Sequence, residues 1–387
     1  MNKHTTVPLA RNTVWVPILG LSLFAIASGY LMSLLPLSLG QYQLPKESAS
    51  WLASVYYLGL LFGSMFIEPV IKKAGHQRAF VIFMTLLFVS VVTMIMLPSL
   101  ASWLFARFIA GMAVAGVFVV IESWLLIGDN AKERAKNLGL YMTSLYGGTT
   151  IGQFGIGTIG IEGGLPFAAI ATLLIIAILP VALAKNVNPT CDEHQSLSMR
   201  KILALSKPAI IGCLVSGMVM GSIYGLLPLA LKVTVNDNHQ ISVLMAITVL
   251  GGMLIQPIVG KVSNLMSKSL LLAAFSLLGV FAMGLYLLDS SYSTQVISLS
   301  ILGMSAFALY PVAITLACDG LASSAIVSAT QVMLFSYSVG SATGPIIANE
   351  FMKGDMGLMG FFFSLFLATA IYMLLVSART KPRIVAS

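Results

Sequence analysis

Long apolar runs separated by short polar segments recur along the whole chain. Each run is close to the ~20 residues that a helix needs to cross the hydrocarbon core of a membrane, and none alternates apolar with polar residues as strands do. Only helices and closed barrels satisfy every backbone hydrogen-bonding group in lipid, so the pattern predicts an all-α integral membrane protein. The twelve predicted spans are residues 13–39, 49–72, 78–97, 101–127, 136–159, 165–185, 209–232, 241–260, 268–288, 294–317, 326–349 and 357–377.

The amino-acid composition excludes a water-soluble globular protein. Of the 387 residues, 58% are hydrophobic and only 9% are charged, whereas about a quarter of the residues of soluble domains are charged. The three cysteines lie far apart without the spacing of metal ligands, and the four histidines, His76 among them, all fall in polar stretches. We therefore expect no metal, no cofactor and no histidine-based catalysis within the membrane.

Basic residues are distributed asymmetrically between the two sides of the predicted bundle. With the N-terminus inside, seventeen lysines and arginines fall in inside segments and three, Lys46, Lys232 and Lys353, in outside segments. Cytoplasmic loops of membrane proteins carry such an excess of positive charge. The net charge of +8 thus indicates topology rather than nucleic-acid binding. We expect a bacterial inner-membrane protein with both termini in the cytoplasm.

An internal repeat relates the two halves of the chain. A shift of 192 residues places GYLMSLLPL (29–37) on GSIYGLLPL (221–229) and GTTIG (148–152) on GSATG (340–344), without a gap. Further matches at the same shift are Gly59 with Gly251 and the GM pair at 111–112 with the GM pair at 303–304.

The repeat predicts how the halves are arranged. Six helices return the chain to its starting side, so the two halves are predicted to be parallel and related by an axis along the membrane normal. The predicted domains are residues 1–190 and 205–387, with a polar and basic cytoplasmic linker at 186–208. This is the organisation of a transporter built from two six-helix bundles.

Several motifs resemble those of the major facilitator superfamily, and the resemblance covers nearly the whole chain. In the fourth span, RFIAG places Arg107 four residues before Gly111, like the RxxxG motif of that family. In the eleventh, GSATGP (340–345) resembles the GxxxGP motif of its antiporters, whereas the fifth has Gln153 in place of the proline. With VIESW, YGLLPL and LYPVA, the pattern is most similar to the YcaD-like branch. The resemblance implies two six-helix halves that rock around a central cavity.

The segment between the second and third spans, EPVIKKAGHQR, resembles the family pattern GxxxDRxGRR only in part. Gly75 fits, but Glu68 replaces the first glycine and Lys72 the aspartate, and in the second half Asn264 stands at the aspartate position. Glu68 and Lys72 are spaced i,i+4 and can pair on one helix face. Two interpretations remain open, a solvated ion pair at the cytoplasmic edge and a gating latch between the halves.

Pairs of glycines recur in the fifth and eleventh spans. Gly148 with Gly152 and Gly340 with Gly344, the latter followed by Pro345, have the small-xxx-small spacing that permits close approach of helices. Close packing is one explanation of these pairs. A hinge in alternating access is the other, and it is the one that the antiporter resemblance implies.

Two charged residues lie in the fourth predicted span. Glu122 stands in the otherwise apolar segment VFVVIESWLLIG (117–128), and Arg107 precedes it by fifteen residues, ~22 Å along a helix and too far to pair. Ionisable residues inside a membrane are costly and are functional by default. Glu122 is predicted to face the central cavity, where it binds substrate or carries a proton; the alternative is a carboxylate at the cytoplasmic interface or paired with a loop lysine. Arg107 either extends outward or faces inward, where the resemblance implies a role in proton movement.

Other polar and aromatic residues of the spans can orient a ligand through hydrogen bonds and aromatic faces, with packing as the alternative for each. These cavity candidates are Tyr30, Tyr224, Tyr310, Gln153, Gln331 and Tyr337.

Together these features predict a secondary active transporter that uses gradients, since the sequence has no ATP-binding segment. Because the spans offer one acid and one base, we expect proton-coupled export of small amphipathic compounds. Uptake of a polar metabolite such as a sugar, nucleoside or organic acid is the alternative. A membrane enzyme or a non-transporting sensor is a third, although catalytic motifs in a fitting context and a soluble domain are missing. We expect the chain to be a monomer. Its expected partners are the substrate, protons and the lipid bilayer.

Overall fold

The computed structural model describes residues 14–126, 131–183, 207–263, 265–289, 291–319 and 323–379. In this part of the chain the secondary structure is helical and contains no strand. A short 3-10 helix at Leu39–Tyr42 follows the first α-helix. The α-helices are α1 Trp15–Ser38, α2 Ser48–Met96, α3 Leu100–Leu126, α4 Ala131–Gln153, α5 Gly155–Thr158, α6 Leu165–Leu183, α7 Lys207–Thr234, α8 Asn238–Val262, α9 Lys268–Leu288, α10 Tyr292–Cys318, α11 Ser323–Phe351 and α12 Gly357–Arg379.

These helices confirm the predicted all-α membrane fold with twelve spans in two six-helix halves. Ten segments of the described chain are long and apolar enough to cross a membrane. The other two spans, α4 and α11, are more polar because serine, threonine and glycine are frequent in them, and they correspond to each other under the 192-residue shift. Most of the linker predicted at 186–208 lies outside the described residues, so the domain boundaries stay predictions.

The second and third spans form one helix, α2, that is interrupted at Gly75. This residue has φ 78° and ψ 163°, a combination that essentially only glycine adopts. The chain turns back at this point, since Tyr56 and Met94, which lie on either side of Gly75, both contact the first two turns of α3, through Arg107 and Trp103. The polar segment expected between residues 72 and 78 is therefore a turn within the helix rather than a separate loop.

Equivalent close contacts hold each half together. In the first half Gly29 of α1 lies against the backbone of Thr149 in α4, and in the second Gly221 of α7 lies in the same way against Ser341 of α11. Gly29 is related to Gly221, and Thr149 to Ser341, by the 192-residue shift. The pairs Gly111 with Tyr56 and Gly303 with Thr248 repeat this correspondence. The internal repeat in the sequence is thus a repeat of helix packing.

The halves are in contact at mid-depth and towards one side of the bundle. We call the side on which α1 begins and α12 ends the terminal side, and the opposite side the far side. Tyr146 of α4 packs edge-on against Phe307 of α10 at mid-depth, with 5.3 Å between ring centroids. Towards the far side, Gly225 lies against Ala53 of the other half, and Gly157 lies against Ser242 and His239. In this conformation the far-side ends of the two halves are packed together.

Candidate functional site

Glu122 lies near the terminal-side end of α3. Its carboxylate accepts a hydrogen bond of 2.9 Å from the hydroxyl of Tyr141 in α4. The Glu122 side chain is exposed, and it lies within electrostatic range of the hydroxyl groups of Tyr146 in α4 and Tyr310 in α10. Because Tyr310 belongs to the second half, the carboxylate faces the space between the halves. The position is the one expected for a group in the central cavity, and its role stays a prediction.

Six tyrosines converge between the halves, and we call them the central tyrosine cluster. The rings of Tyr310 and Tyr337 are 4.8 Å apart, and those of Tyr56 and Tyr57 are 5.2 Å apart. Their hydroxyl groups are close enough to interact electrostatically across the two halves. The members are Tyr56, Tyr57, Tyr146, Tyr224, Tyr310 and Tyr337.

Sequence reasoning identified only the second-half members of this cluster, Tyr224, Tyr310 and Tyr337. It missed Tyr56, Tyr57 and Tyr146, as well as Tyr141, which bonds to Glu122, and Phe307, whose ring lies between Tyr146 and Tyr224. The available signal was tyrosine itself, since a buried phenol in an apolar helix needs a partner for its hydroxyl group. Applying that argument to every tyrosine of the spans would have found the four tyrosines, but not Phe307.

Arg107 of α3 faces the interior. Its side chain is only 5% exposed, and its guanidinium carbon lies 4.1 Å from the centroid of the Tyr56 ring. One turn later, Gly111 has no room for a Cβ because the backbone of Tyr56 and Leu60 lies directly against it. The RxxxG spacing thus brings α2 close enough for the Tyr56 ring to cover the cation. This burial excludes the alternative in which Arg107 extends outward.

A small cavity beside Arg107 spans the boundary between the halves. Helices α1, α2 and α3 of the first half line it, and Tyr224 and Gly225 of α7 close it from the second half. Its volume is about 20 Å³, roughly the space of one water molecule. The site around Arg107 is therefore occluded in this conformation.

Two predicted cavity residues are buried within the first half instead. Tyr30 is 1% exposed and donates a hydrogen bond of 2.5 Å to the carbonyl of Gly160. Gln153 is fully buried; it donates to the carbonyl of Gly29 at 2.9 Å and accepts from the Ser33 hydroxyl at 2.5 Å. Gln153 therefore joins α4 to α1 at the position where the antiporter motif has proline. Both residues therefore lie where the alternative interpretation, packing within one half, expects them.

Three other candidates lie wholly or partly outside the described residues. These are Asn264 and the side chains of Gln331 and Glu68. Lys72 is exposed. The Glu68–Lys72 latch and the contribution of Gln331 to the cavity therefore stay predictions.

The glycine pairs of α4 and α11 lie at helix contacts. A Cβ at Gly148 would come within 2.7 Å of the Ala25 Cβ, and one at Gly152 would meet the carbonyl of Ile26. In α11, Gly340 meets the backbone of Leu214 and Gly344 that of Met218, while Pro345 follows within the same helix. These contacts give the glycines a packing function, and a hinge function stays a prediction.

His76 follows Gly75 directly and is buried, although its sequence surroundings are polar. It is 2% exposed and its Nε2 lies 3.0 Å from the hydroxyl of Ser123, next to Glu122 in α3. The close approach of α2 and α3 after the turn buries it, which a polar sequence window does not indicate. Among the described residues, no group of three or more histidine, cysteine, aspartate or glutamate side chains could hold a metal ion.

Comparison with known proteins shows which family has this architecture. The sequence profile of the Major Facilitator Superfamily matches residues 18–345. The MFS-type transporter YcaD of Salmonella enteritidis and that of Salmonella typhimurium are each 32% identical to the chain over 345 residues, which cover 88% of this chain and 89% of the relative.

Solved structures share the fold at low sequence identity. The nucleoside transporter NupG has a TM-score of 0.72 and 14% identity, covering 95% of this chain and 98% of its own. A bacterial homologue of the human lysosomal transporter Spinster, in an inward-facing and unoccupied conformation, has a TM-score of 0.71 and 14% identity, covering 95% of each chain.

The matching family and the MFS-type relatives identify this helical protein as a membrane transporter of the secondary type. The chain belongs to the major facilitator superfamily. The predicted family and its YcaD-like branch are both confirmed.

Proposed function

We propose that the protein is a proton-coupled exporter of small amphipathic compounds and that Glu122 is the group that exchanges the proton. The position of Glu122 carries this proposal: it is an exposed carboxylate at the space between the halves, bonded to Tyr141 of its own half and acting on Tyr310 of the other. A carboxylate in this place changes surroundings whenever the halves move relative to each other. Its proton affinity then differs between the two conformations, as coupling requires.

Alternating access is supported by the difference between the two sides. On the far side the halves pack together around a small cavity beside Arg107. Towards the terminal side Glu122 is exposed. The structure thus corresponds to a conformation in which the carboxylate is reached from the terminal side, and rocking of the halves would exchange this access for access from the far side.

The distribution of basic residues supports the proposed orientation. On the terminal side, Lys73 and Arg78 flank the turn within α2, and Lys207, Lys261 and Arg379 lie at helix ends. The three far-side lysines noted above lie in three different segments. Positive residues mark the cytoplasmic side. We therefore assign the terminal side, with both chain termini, to the cytoplasm of a bacterial inner membrane, so that Glu122 is reached from the cytoplasm in this conformation.

The central tyrosine cluster supports the proposal that the substrate is amphipathic. Phenol rings present apolar faces together with a hydroxyl group that can donate or accept a hydrogen bond. Around Arg107 the remaining lining is largely apolar, including Met32, Leu35 and Leu52. Such a surface fits a compound with an apolar body and few polar groups better than a sugar with many hydroxyl groups.

The test uses purified protein in liposomes that contain a pH-sensitive dye. A panel of amphipathic compounds identifies those whose movement changes the internal pH, and these are then measured with the variants. Glu122→Gln keeps the shape of the side chain but cannot release a proton. It should abolish accumulation driven by a pH gradient while exchange of the compound across the membrane continues.

Two further variants complete this test. Glu162→Gln removes an exposed carboxylate in the segment before α6 and should leave coupling unchanged. Tyr141→Phe removes the hydrogen bond to Glu122 and should shift the pH dependence of transport without abolishing it. Proton and substrate fluxes are measured in the same vesicles. If Glu122→Gln couples them at the wild-type ratio, Glu122 is not the proton carrier.

A further inference from the structure

Arg107 is a buried cation, and no residue that the structure describes forms an ion pair with it. The side chain is 5% exposed, and its Nε atom has no hydrogen-bond partner among the described residues. In the described chain, the charged or ionisable groups that act on it are Tyr56 and Tyr57, and no carboxylate forms an ion pair with it. The acid of the same helix, Glu122, is fifteen residues away, ~22 Å along the axis.

Such an arrangement is unfavourable unless a group outside the described residues supplies the opposite charge. Buried arginines are almost always paired, because removing a charge from water is costly. The Tyr56 ring stabilises the cation through its π face, 4.1 Å from the guanidinium carbon. A ring face does not replace the oxygen atoms that the five N–H donors of a guanidinium bind. The protein therefore keeps a costly group whose Nε–H donor has no partner among the described residues.

The cavity beside Arg107 shows where an anion would enter. It lies between α1, α2 and α3 of one half and Tyr224 and Gly225 of the other. With a volume of about 20 Å³, it holds no more than about one water molecule. Because its walls belong to both halves, it widens when the far side opens. The cation is then offered to a ligand, with phenol rings and apolar side chains around it.

We propose that Arg107 binds the anionic group of an amphipathic organic anion, a carboxylate or sulfonate, while the apolar body of that ligand packs against Tyr56, Tyr57 and Tyr224. This substrate class rests on the proposed transport function and specifies it. A planar guanidinium matches a pair of oxygen atoms of such a group and binds them in a bidentate manner. The apolar lining, including Leu35 and Leu52, excludes water from this pair and favours a ligand with an aromatic or alkyl body.

The test is a thermal-stability measurement on the purified full-length protein in detergent. The probes are benzoate, 4-phenylbutyrate and naphthalene-1-sulfonate, each paired with its neutral amide: benzamide, 4-phenylbutyramide and naphthalene-1-sulfonamide. A ligand that binds the folded state raises the apparent Tm as its concentration increases. Each effective anion should raise the Tm of the wild type more than its amide does.

Variants then assign the effect to Arg107. Arg107→Gln should weaken binding of the effective anions about 10- to 100-fold, since it removes a charge-assisted bidentate contact. Arg107→Lys should retain part of the response. Lys232→Gln, which removes an exposed far-side cation, should leave the response unchanged. Without any probe, Arg107→Gln should raise the Tm, because an unpaired buried charge disappears; an arginine with only a structural role would give a lower Tm.

The outcomes separate this inference from the proposed transport function. If none of the anions stabilises the wild type more than its amide, or if Arg107→Gln keeps the response or lowers the Tm without probe, Arg107 is not an anion site. Should neither Arg107 variant fold, the comparison of acid with amide in the wild type decides. The assay involves no proton gradient, so its result does not depend on whether Glu122→Gln abolishes coupling.

Discussion

The contact between Gly225 and Ala53 allows the far-side closure to be tested with a single methyl group. Gly225 lies in α7 of the second half and Ala53 in α2 of the first, and both line the cavity beside Arg107. A Cβ added at Gly225 would be 2.5 Å from the Ala53 Cβ. Carbon atoms in contact are normally about 3.5–4.0 Å apart, so Gly225→Ala forces the halves apart by about 1 Å at this point.

The size of the effect follows from the cost of overpacking. Adding a methyl group to a well-packed contact costs about 1–3 kcal/mol. Because the contact exists only while the far side is closed, this cost falls on one of the two conformations. The ratio of open to closed protein should therefore rise about 5- to 150-fold, unless the open state is already predominant.

Labelling of a cysteine in the cavity measures this ratio. Leu35 lines the cavity and is 4% exposed, so Leu35→Cys in a background without the native cysteines reacts with a maleimide chiefly when the far side opens. Gly225→Ala should accelerate this labelling. The matched control is Gly260→Ala, at a glycine of α8 with no neighbouring atom within 4 Å of an added Cβ, and it should leave the rate unchanged.

A second substitution makes the test specific. With Ala53→Gly, the nearest atoms to the new Cβ at residue 225 would be 3.9 Å away at Pro345 and 4.0 Å away at the Cα of residue 53. These are ordinary contact distances, so the double variant Gly225→Ala with Ala53→Gly should label at the original rate. An unchanged rate in Gly225→Ala, or an accelerated rate that Ala53→Gly does not reverse, would show that this contact does not control closure.

Three further predictions concern stability. Gln153→Met should lower the free energy of unfolding by about 1–3 kcal/mol, because the Ser33 hydroxyl and the Gly29 carbonyl lose their partner; thermal unfolding in detergent measures this, and an unchanged Tm would contradict it. Gly75→Ala should lower the free energy of unfolding by about 1–3 kcal/mol because it strains the turn within α2. The variant should show a lower Tm than the wild type in the same thermal assay. Hydrogen bonds from the segment that begins α10 hold the pKa of Asp289 below its ordinary value of 3.8. The stability that they contribute is therefore complete above pH 3.8 and is lost as the pH falls through the lowered pKa. Asp289→Asn should flatten this part of the profile of Tm against pH.

The positions of the spans follow from the sequence alone because crossing a membrane is a property of a segment. The cost of burying backbone and charge in lipid depends on the length and polarity of each stretch, and both are read directly from the chain. The constant shift of 192 residues likewise relates the two halves without reference to coordinates. For the same reason Glu122 stands out, since its surroundings in sequence are already those of the membrane interior.

The contacts of these helices were not predictable in the same way. A helix that is apolar all round, such as α3, has no polar face to show how it is rotated about its axis. The sequence therefore did not distinguish tyrosines at the boundary between the halves, such as Tyr146, from Tyr30, which is bonded within one half. The burial of His76 and the bridging role of Gln153 depend on the same rotation.

The membrane fold, the internal repeat and the two charges of the fourth span could all be read from the sequence. The surroundings of those charges came from the folded arrangement: Glu122 faces the space between the halves, and Arg107 lies at an occluded cavity without a carboxylate partner among the described residues. Hydropathy sums over neighbours in the chain, whereas a site between helices depends on close packing of residues that are distant in the chain. That packing is set where glycines such as Gly111 and Gly225 allow backbones to meet.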